Sequence, residues 1–282
     1  MKVFQEINPL KNELNHHRSK SLKIGLVPTM GALHEGHASL INLSMKQTDI
    51  TVCSLFVNPI QFNNSGDLDT YPRDLRKDMD FLEQLDCHIL FHPSVKEMYP
   101  QPPAVNFGFG DMERSMEGAF REGHFNGVAL VVSKLFNVVK PDKAYFGQKD
   151  LQQYVIVEKM VNDLNIDLDL ICAPIVREKS GLAISSRNQR LSEEQKEVAA
   201  NLYKGLQLGQ ELLMENHDIS SVKQQVSGFI SQWQDICLEY FEIVNRSTLE
   251  NIDHIEPGSE VALCIAAYVS SVRLIDNIIL KK

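Results

Sequence analysis

Two histidines stand three residues apart in the string PTMGALHEGH, residues 28–37, which follows an apolar segment and opens a helix-like one. His34 and His37 can point at the same anion and donate hydrogen bonds to charge that develops during phosphoryl or nucleotidyl transfer. Gly31 and Gly36 let the backbone approach a ligand closely, and a helix N-terminus suits a phosphate. A plain turn with two surface histidines explains the spacing equally well. A metal site is a weaker explanation because no third ligand stands nearby.

A second polar string, FVNPIQF at residues 56–62, follows the next apolar segment. Asn58 and Gln61 could hydrogen-bond the hydroxyl and carboxylate groups of a small polar substrate at the end of a strand. An ordinary Asn-Pro turn is the commoner explanation of such a string taken alone.

A third string, YFGQKDLQQ at residues 145–153, again has the order strand, glycine turn and helix start, which forms an anion site. Lys149 supplies a point charge for a phosphate. Asp150 could hold Mg²⁺ directly or through water. Gln153 lies one helical turn after Lys149, on the same face. A solvated Lys-Asp pair at a helix start is the alternative.

A fourth string spans residues 176–188 and contains adjacent hydroxyls followed by a guanidinium, at Ser185, Ser186 and Arg187. These groups together make a good phosphate clamp. A polar loop between two domains is the alternative, and a closing lid is expected at the same place.

The elements that must position these strings alternate between strand-like and helix-like segments over the first part of the chain. Strands are predicted at 22–29, 50–57, 88–91, 144–146 and 168–175, and helices at 37–46, 75–85, 127–139 and 151–164. Ser192 and Gln195 then form a predicted capping box for a helix to about residue 214. A further helix at 219–233 and strands at 239–244, 260–269 and 272–280 follow. We predict an α/β fold: a Rossmann-like doubly wound parallel sheet in residues 1–176 and a smaller α+β domain in residues 177–282.

The composition is ordinary for a globular protein, with 43% hydrophobic and 23% charged residues. A formal charge of −9 argues against a broad basic face for nucleic acid, so any positive groups must be gathered locally. No leader-like or membrane-length apolar run is evident, and we therefore expect a cytoplasmic protein without a membrane partner. Cys53, Cys172 and Cys264 lie in apolar runs and are expected to be buried and reduced.

The longer string GLVPTMGALHEGH, residues 25–37, resembles the signature of the pantothenate synthetase (pantoate–β-alanine ligase) family. That family belongs to the nucleotidyltransferase superfamily, which is marked by a His-x-Gly-His-type motif. Residues 121–128, 145–153, 176–188 and 272–277 also resemble the family, in the right order, so that the resemblance covers roughly the whole chain. The sequence departs from the usual family pattern at Glu122, Asn126 and Gln148.

The resemblance implies an ATP-dependent ligase that condenses (R)-pantoate with β-alanine through a pantoyl adenylate, releasing AMP and pyrophosphate. It implies catalysis by His34, His37 and Lys149, pantoate and β-alanine on Gln61, pantoate on Gln153, and Mg²⁺ on Asp150. It also implies a homodimer. The ATP contacts that it implies are Met30, Gly31, Ala32, Leu33, His34, Glu35, Gly36, His37, Gly147, Gln148, Lys149, Asp150, Val176, Ile184, Ser185, Ser186 and Arg187.

Other functions fit part of this pattern. An adenylyltransferase of the same superfamily would retain AMP in its product, but such chains are generally shorter and lack the second domain. A non-catalytic nucleotide-binding module is a different class, which only turnover distinguishes. A tRNA ligase is disfavoured by the acidic charge. The central expectation is that His34, His37, Lys149 and Arg187 converge on the innermost phosphate of the nucleotide.

Overall fold

A computed structural model of the chain describes residues 1–63, 66, 68 and 71–282. The chain divides into two compact units. The first, called the sheet unit here, comprises Met1–Glu113, Glu117–Gly147 and Ile156–Ala173. The second, called the C-terminal unit, comprises Arg114–Met116, Gln148–Val155 and Pro174–Lys282. The expected domain limit at residues 176–177 stays a prediction. The segment Gln148–Val155 belongs to the C-terminal unit although it lies earlier in the sequence.

The sheet unit is built on six parallel strands in the order β1-β4-β3-β2-β5-β6. Strands β2 and β3 are buried along almost their whole length, as expected where helices cover both faces of a parallel sheet. The predicted α/β class with a Rossmann-like sheet is therefore confirmed. The strands are β1 Lys2–Phe4, β2 Ile24–Thr29, β3 Ile50–Leu55, β4 Ile89–Phe91, β5 Lys143–Gly147 and β6 Asp169–Ala173.

At least one helix lies between each two successive strands of this sheet, and three lie between β4 and β5. The apolar helix α6 starts three residues earlier than predicted, after Gly123, whose backbone is in the left-handed region (φ 74°). It ends before Lys140, which is also in the left-handed region (φ 46°). The residue before a proline avoids the right-handed helical region, which explains that end. The helices are α1 Ile7–Arg18, α2 Glu35–Gln47, α3 Leu75–Gln84, α4 Val95–Met98, α5 Glu117–Phe120, α6 His124–Val139 and α7 Leu151–Asp163.

The C-terminal unit packs helices on an antiparallel sheet of three strands in the order β7-β8-β9. Its core is a continuous apolar cluster drawn from the helices and the sheet. The predicted α+β character of this region is confirmed. The elements are α8 Glu193–Ala199, α9 Asn201–Met214, α10 Ile219–Ile230, β7 Ile236–Asn245, β8 Glu260–Val269 and β9 Val272–Lys281.

One expectation about secondary structure is wrong, and two elements were missed. The single helix predicted from Ser192 to about residue 214 is two helices, separated at Ala200. The Asn201 side chain donates to the carbonyls of Glu197 (3.4 Å) and Val198 (2.8 Å), and such a side chain competes with the helical ladder for those carbonyls. The first strand and helix, β1 and α1, were not predicted at all.

The thiols follow the expectation in part. Cys53 and Cys264 are buried, whereas Cys172 is only half-buried. Burial raises the pKa of the Cys53 thiol well above its usual value and that of Cys87 to about 11, which keeps both thiols neutral. No helix among the described residues combines the length and apolar character that a membrane span requires.

Candidate active site

The loop between β2 and α2 is held by a buried carboxylate from α3. Asp78, only 3% exposed, accepts hydrogen bonds from the backbone N–H groups of Ala32 (3.0 Å) and Leu33 (2.7 Å). Gly31 precedes them at φ +88°, and a Cβ there would lie 2.9 Å from an Asp78 carboxylate oxygen. Glycine is therefore required at position 31 for its backbone conformation and for the close approach of Asp78.

The two histidines of the loop cap the helix that follows. His34 Nδ1 accepts from the N–H of Gly36 at 3.1 Å, and His37 Nδ1 accepts from the N–H of His34 at 3.3 Å. Their rings lie 4.1 Å apart, centroid to centroid. Because Nδ1 is an acceptor in both rings, the proton of each neutral imidazole is on Nε2. The capping box thus places an N–H donor at Nε2 of each ring.

The predicted phosphate site at this loop stays a prediction. In the structure, the backbone N–H groups of Ala32 and Leu33 donate to Asp78. Those of His34 and Gly36 donate to imidazoles. The imidazole rings and the positive end of α2 are the polar features that these backbone hydrogen bonds leave at this loop.

Gln61 stands beside this loop, on the short turn Pro59–Gln61 after β3. Its side chain is 5% exposed; Nε2 lies 2.9 Å from the sulfur of Met30, and Oε1 accepts from Asn58 Nδ2 at 3.3 Å. A Cβ on Gly127 of α6 would lie 2.6 Å from Gln61 Cα, so only glycine permits this approach. The structure thus brings two predicted site residues, Met30 and Gln61, into contact.

Two residues that shape this region were missed by sequence reasoning. Asp78 lies four residues before the buried Leu82 in α3, and a carboxylate on the buried face of a helix was the available signal. Tyr99 donates from its hydroxyl to Asn58 Oδ1 at 3.0 Å, and burial raises its pKa to about 12. The sequence carries no signal for that contact, which spans 41 residues.

The remaining predicted residues, apart from Gly147 at the end of β5, belong to the C-terminal unit. Lys149, Ser185 and Arg187 line one cleft there, together with Arg273 and Asp276. Ser185 caps the turn Ser186–Arg190 by accepting from the N–H of Arg187 at 3.2 Å. Predicted residues from two strings more than 30 positions apart thus share a cleft. Val176 and Ile184 are joined by a backbone hydrogen bond of 3.0 Å.

Lys149 and Asp150 lie on the turn Gln148–Asp150 that leads into α7. Their side chains form a loose pair, Nζ to Oδ1 3.8 Å, with 20% and 53% of the side chains exposed. Gln153, in the first turn of α7, is half-buried. Among the described residues no group of three or more His, Cys, Asp or Glu side chains could hold a metal ion. One exposed carboxylate still fits Mg²⁺, because that ion binds through one or two carboxylates plus substrate phosphates.

A buried ion pair supports the wall of this cleft. Arg177 contacts both carboxylate oxygens of Asp276, at 2.6 and 2.9 Å, and its guanidinium stacks 3.7 Å from the centre of the Tyr203 ring. Burial raises the pKa of Asp276, and the bidentate contact with Arg177 opposes that rise. Such a pair is costly to break from one side, because removal of one partner leaves a buried charge.

The sheet unit is thus a doubly wound α/β fold with a histidine-capped helix after β2, and the turn Gln148–Asp150, called the lysine turn here, follows β5. A sequence profile for pantoate–β-alanine ligase matches residues 2–279. The chain is 45% identical to a pantothenate synthetase of Cytophaga hutchinsonii over 97% of both chains. It is 47% identical to that of Bacteroides thetaiotaomicron, over 99% of this chain and 98% of the relative.

Solved structures agree with these sequence relatives. A crystal structure of pantothenate synthetase from Thermus thermophilus is 36% identical and superposes with a TM-score of 0.91 over 99% of both chains. A Francisella tularensis pantoate–β-alanine ligase, complexed with beta-gamma ATP and β-alanine, is 33% identical. It has a TM-score of 0.80 and covers 99% of this chain and 97% of its own. The chain therefore belongs to the pantoate–β-alanine ligase family.

Proposed function

We propose that this chain joins (R)-pantoate to β-alanine, forming pantothenate with conversion of ATP to AMP and pyrophosphate. The observation that carries the proposal is the family match over residues 2–279. The family resemblance supports the roles proposed below for His34, His37, Gln61 and Lys149. The individual roles assigned below are part of the proposal.

In the first step, the pantoate carboxylate attacks the α-phosphorus of ATP and pyrophosphate leaves. A carboxylate is a poor acylating agent, and this step gives it AMP as a good leaving group. His34 and His37 donate from Nε2 to oxygens that gain charge, and the Lys149 ammonium offsets the charge of the phosphates. Loss of one such donor typically costs about 3–4 kcal/mol of barrier.

In the second step, the β-alanine amine attacks the acyl carbon of the pantoyl adenylate and AMP leaves. Asn58 orients Gln61, because its Nδ2 donates to Oε1. One N–H of Gln61 Nε2 is directed to the Met30 sulfur, and the second N–H is the proposed donor toward substrate. An amide N–H donor suits the oxygens of pantoate and the carboxylate of β-alanine. Gln153 supplies a second amide for pantoate. No covalent intermediate with the enzyme is required.

The remaining residues bind the nucleotide. Ser185, Ser186 and Arg187 clamp its phosphates, and closure of this segment protects the adenylate from water. Asp150 would hold Mg²⁺ together with phosphate oxygens, and the ion would neutralise part of the triphosphate charge. The other nucleotide contacts are Met30, Gly31, Ala32, Leu33, Glu35, Gly36, Gly147, Gln148, Val176 and Ile184.

The protein is further proposed to act in the cytoplasm as a homodimer. The family resemblance supports the dimer. The cytoplasmic location is supported by the nature of the substrates, ATP and two small polar acids.

The test is pantoate-dependent exchange of labelled pyrophosphate into ATP with β-alanine omitted. The proposal expects exchange only when pantoate is present, and AMP together with pantothenate once β-alanine is added. Omission of each substrate in turn is the control. Release of ADP, or a product that retains AMP, would contradict the proposal.

A further inference from the structure

The last strand of the C-terminal unit contacts the lysine turn through one side chain. Asn277, 3% exposed on β9, donates from Nδ2 to the carbonyl oxygens of Gln148 and Lys149, each at 3.0 Å. Its Oδ1 accepts from Gln148 Nε2, also at 3.0 Å. Both N–H groups and the oxygen of this amide are therefore engaged with the turn, and its orientation is fixed.

Asn277 is itself held on its other side. Its backbone N–H donates to Asp276 Oδ1 at 2.8 Å, and Asp276 is clamped by Arg177. In the sheet, Asn277 pairs with Cys264 in the middle of β8. The amide thus projects from a paired strand, whereas the lysine turn is a 3₁₀ segment of only three residues.

We propose that Asn277 is a positioning residue for adenylate formation. It fixes the backbone of Gln148 and Lys149 and thereby keeps the Lys149 side chain at the cleft. The inference rests on the proposed function, in which Lys149 acts on the phosphates of ATP. Lys149, Ser185 and Arg187 line that cleft. A lysine is flexible along its four-carbon stem, so its reach depends on where its backbone is anchored.

The experiment is a double-mutant cycle on pantoate-dependent ATP–pyrophosphate exchange, with wild type, Asn277→Ala, Lys149→Ala and the double variant. Asn277→Ala is expected to lower kcat/KM for ATP in the exchange reaction about tenfold, with most of the loss in the maximal exchange rate. The KM for β-alanine in the complete reaction is expected to stay unchanged. In the Lys149→Ala background the same change is expected to cost less than about twofold, because residues that act through one another are not additive.

Leu280→Ala is the matched control. Leu280 lies on the same strand, is 6% exposed, and its truncation weakens the core without touching the lysine turn. Rates are compared at temperatures where every variant is fully folded by circular dichroism. Leu280→Ala is expected to melt earlier and to keep its kcat/KM for ATP.

Asn277→Asp is the second variant, used for the cycle if Asn277→Ala does not fold. It keeps the shape but turns a carboxylate oxygen toward two carbonyl oxygens, and it is expected to lose exchange at least as strongly as Asn277→Ala. Fully additive losses in the cycle, or an Asn277 effect no larger than that of Leu280→Ala, overturn the positioning role. Wild-type protein without exchange would instead overturn the proposed function.

Discussion

Two helices of this chain begin with the same capping arrangement built from different residues. At α2, His34 and His37 exchange hydrogen bonds with backbone N–H groups through their Nδ1 atoms. At α8, Ser192 Oγ accepts from the N–H of Gln195 at 3.2 Å, and Gln195 Oε1 accepts from the N–H of Ser192 at 2.9 Å. Both boxes satisfy N–H groups that have no helical partner.

The difference lies in what each box offers for other purposes. An imidazole that accepts through Nδ1 also carries an N–H at Nε2, so the α2 box combines a helix cap with two further donor groups. In the α8 box, the side-chain nitrogen of Gln195, which takes no part in the box, donates to Ser270 Oγ at 3.0 Å. The same rule of helix capping thus serves stability alone at α8, and stability together with the proposed chemistry at α2.

The segments before the two caps differ as well. Gly31 and Ala32 both have positive φ, 88° and 51°, and Asp78 holds the N–H groups that follow. At the start of α8, Ser192 is extended, with φ −69° and ψ 165°. A non-glycine residue held at positive φ is strained and persists only where its surroundings determine it. The two caps therefore differ in the backbone that leads into them.

The largest expected effect comes from converting the α2 box to the chemistry of the α8 box. His37→Gln keeps a capping side chain at the third helical position, as Gln195 does, but removes the imidazole. We expect a folded protein whose kcat falls about 10²- to 10³-fold, the usual cost of one lost donor to developing charge. His37→Ala should lose similar activity and also about 1 kcal/mol of stability.

The measurements are AMP release at saturating substrates and the thermal unfolding midpoint. A His37→Gln variant with near-normal turnover would remove His37 from the chemistry. Equal stability of the Gln and Ala variants would show that the box contributes little to the fold.

The next effect concerns the carboxylate under the α2 loop. Asp78→Asn keeps the shape of the side chain but sets an N–H donor against one of two backbone N–H donors. We expect a loss of about 2–3 kcal/mol in the free energy of unfolding, because a buried donor is left unsatisfied and the other hydrogen bond loses its charge. Activity should fall as well, since Ala32 and Leu33 lose their anchor.

Asp80→Asn is the control, because Asp80 is exposed on the same helix. Urea unfolding of both variants measures the difference. Equal unfolding free energies for the two variants would show that the Asp78 contacts contribute nothing, and the loop would need another explanation.

The elements that were predicted most accurately are those whose sequences have the strongest local hydrophobic pattern. Strands β2, β3 and β8 are buried almost throughout and were predicted within two residues or fewer at each end. Strand β1 has only three residues, none of them buried, and α1 buries only Leu10 and Leu14. Neither produces a clear period, and tertiary packing rather than propensity accounts for them.

The predictability of the site depended on sequence distance. The histidine pair and the Ser192 box are local. Spacing indicated the Ser192 box, whereas it left a site and a plain turn as equally good explanations of the histidine pair. The contacts of Asp78 with the α2 loop span 45 and 46 residues, and those of Asn277 with the lysine turn span 128 and 129. Spacing carries no information about such contacts. The convergence of His34, His37, Lys149 and Arg187 on one phosphate stays a prediction.

The smallest expected effect tests the α8 box alone. Ser192→Ala removes the side-chain acceptor for the N–H of Gln195 and should cost about 1 kcal/mol of unfolding free energy, the usual value for a lost N-cap. Turnover should not change at temperatures where the variant is folded, because neither box residue at α8 carries a proposed role. Urea unfolding and AMP release are the two measurements, with Ser220→Ala, on the exposed first turn of α10, as the control. A rate loss in Ser192→Ala comparable with that of His37→Gln would mean that capping, rather than the imidazole donor, determines activity at both helices.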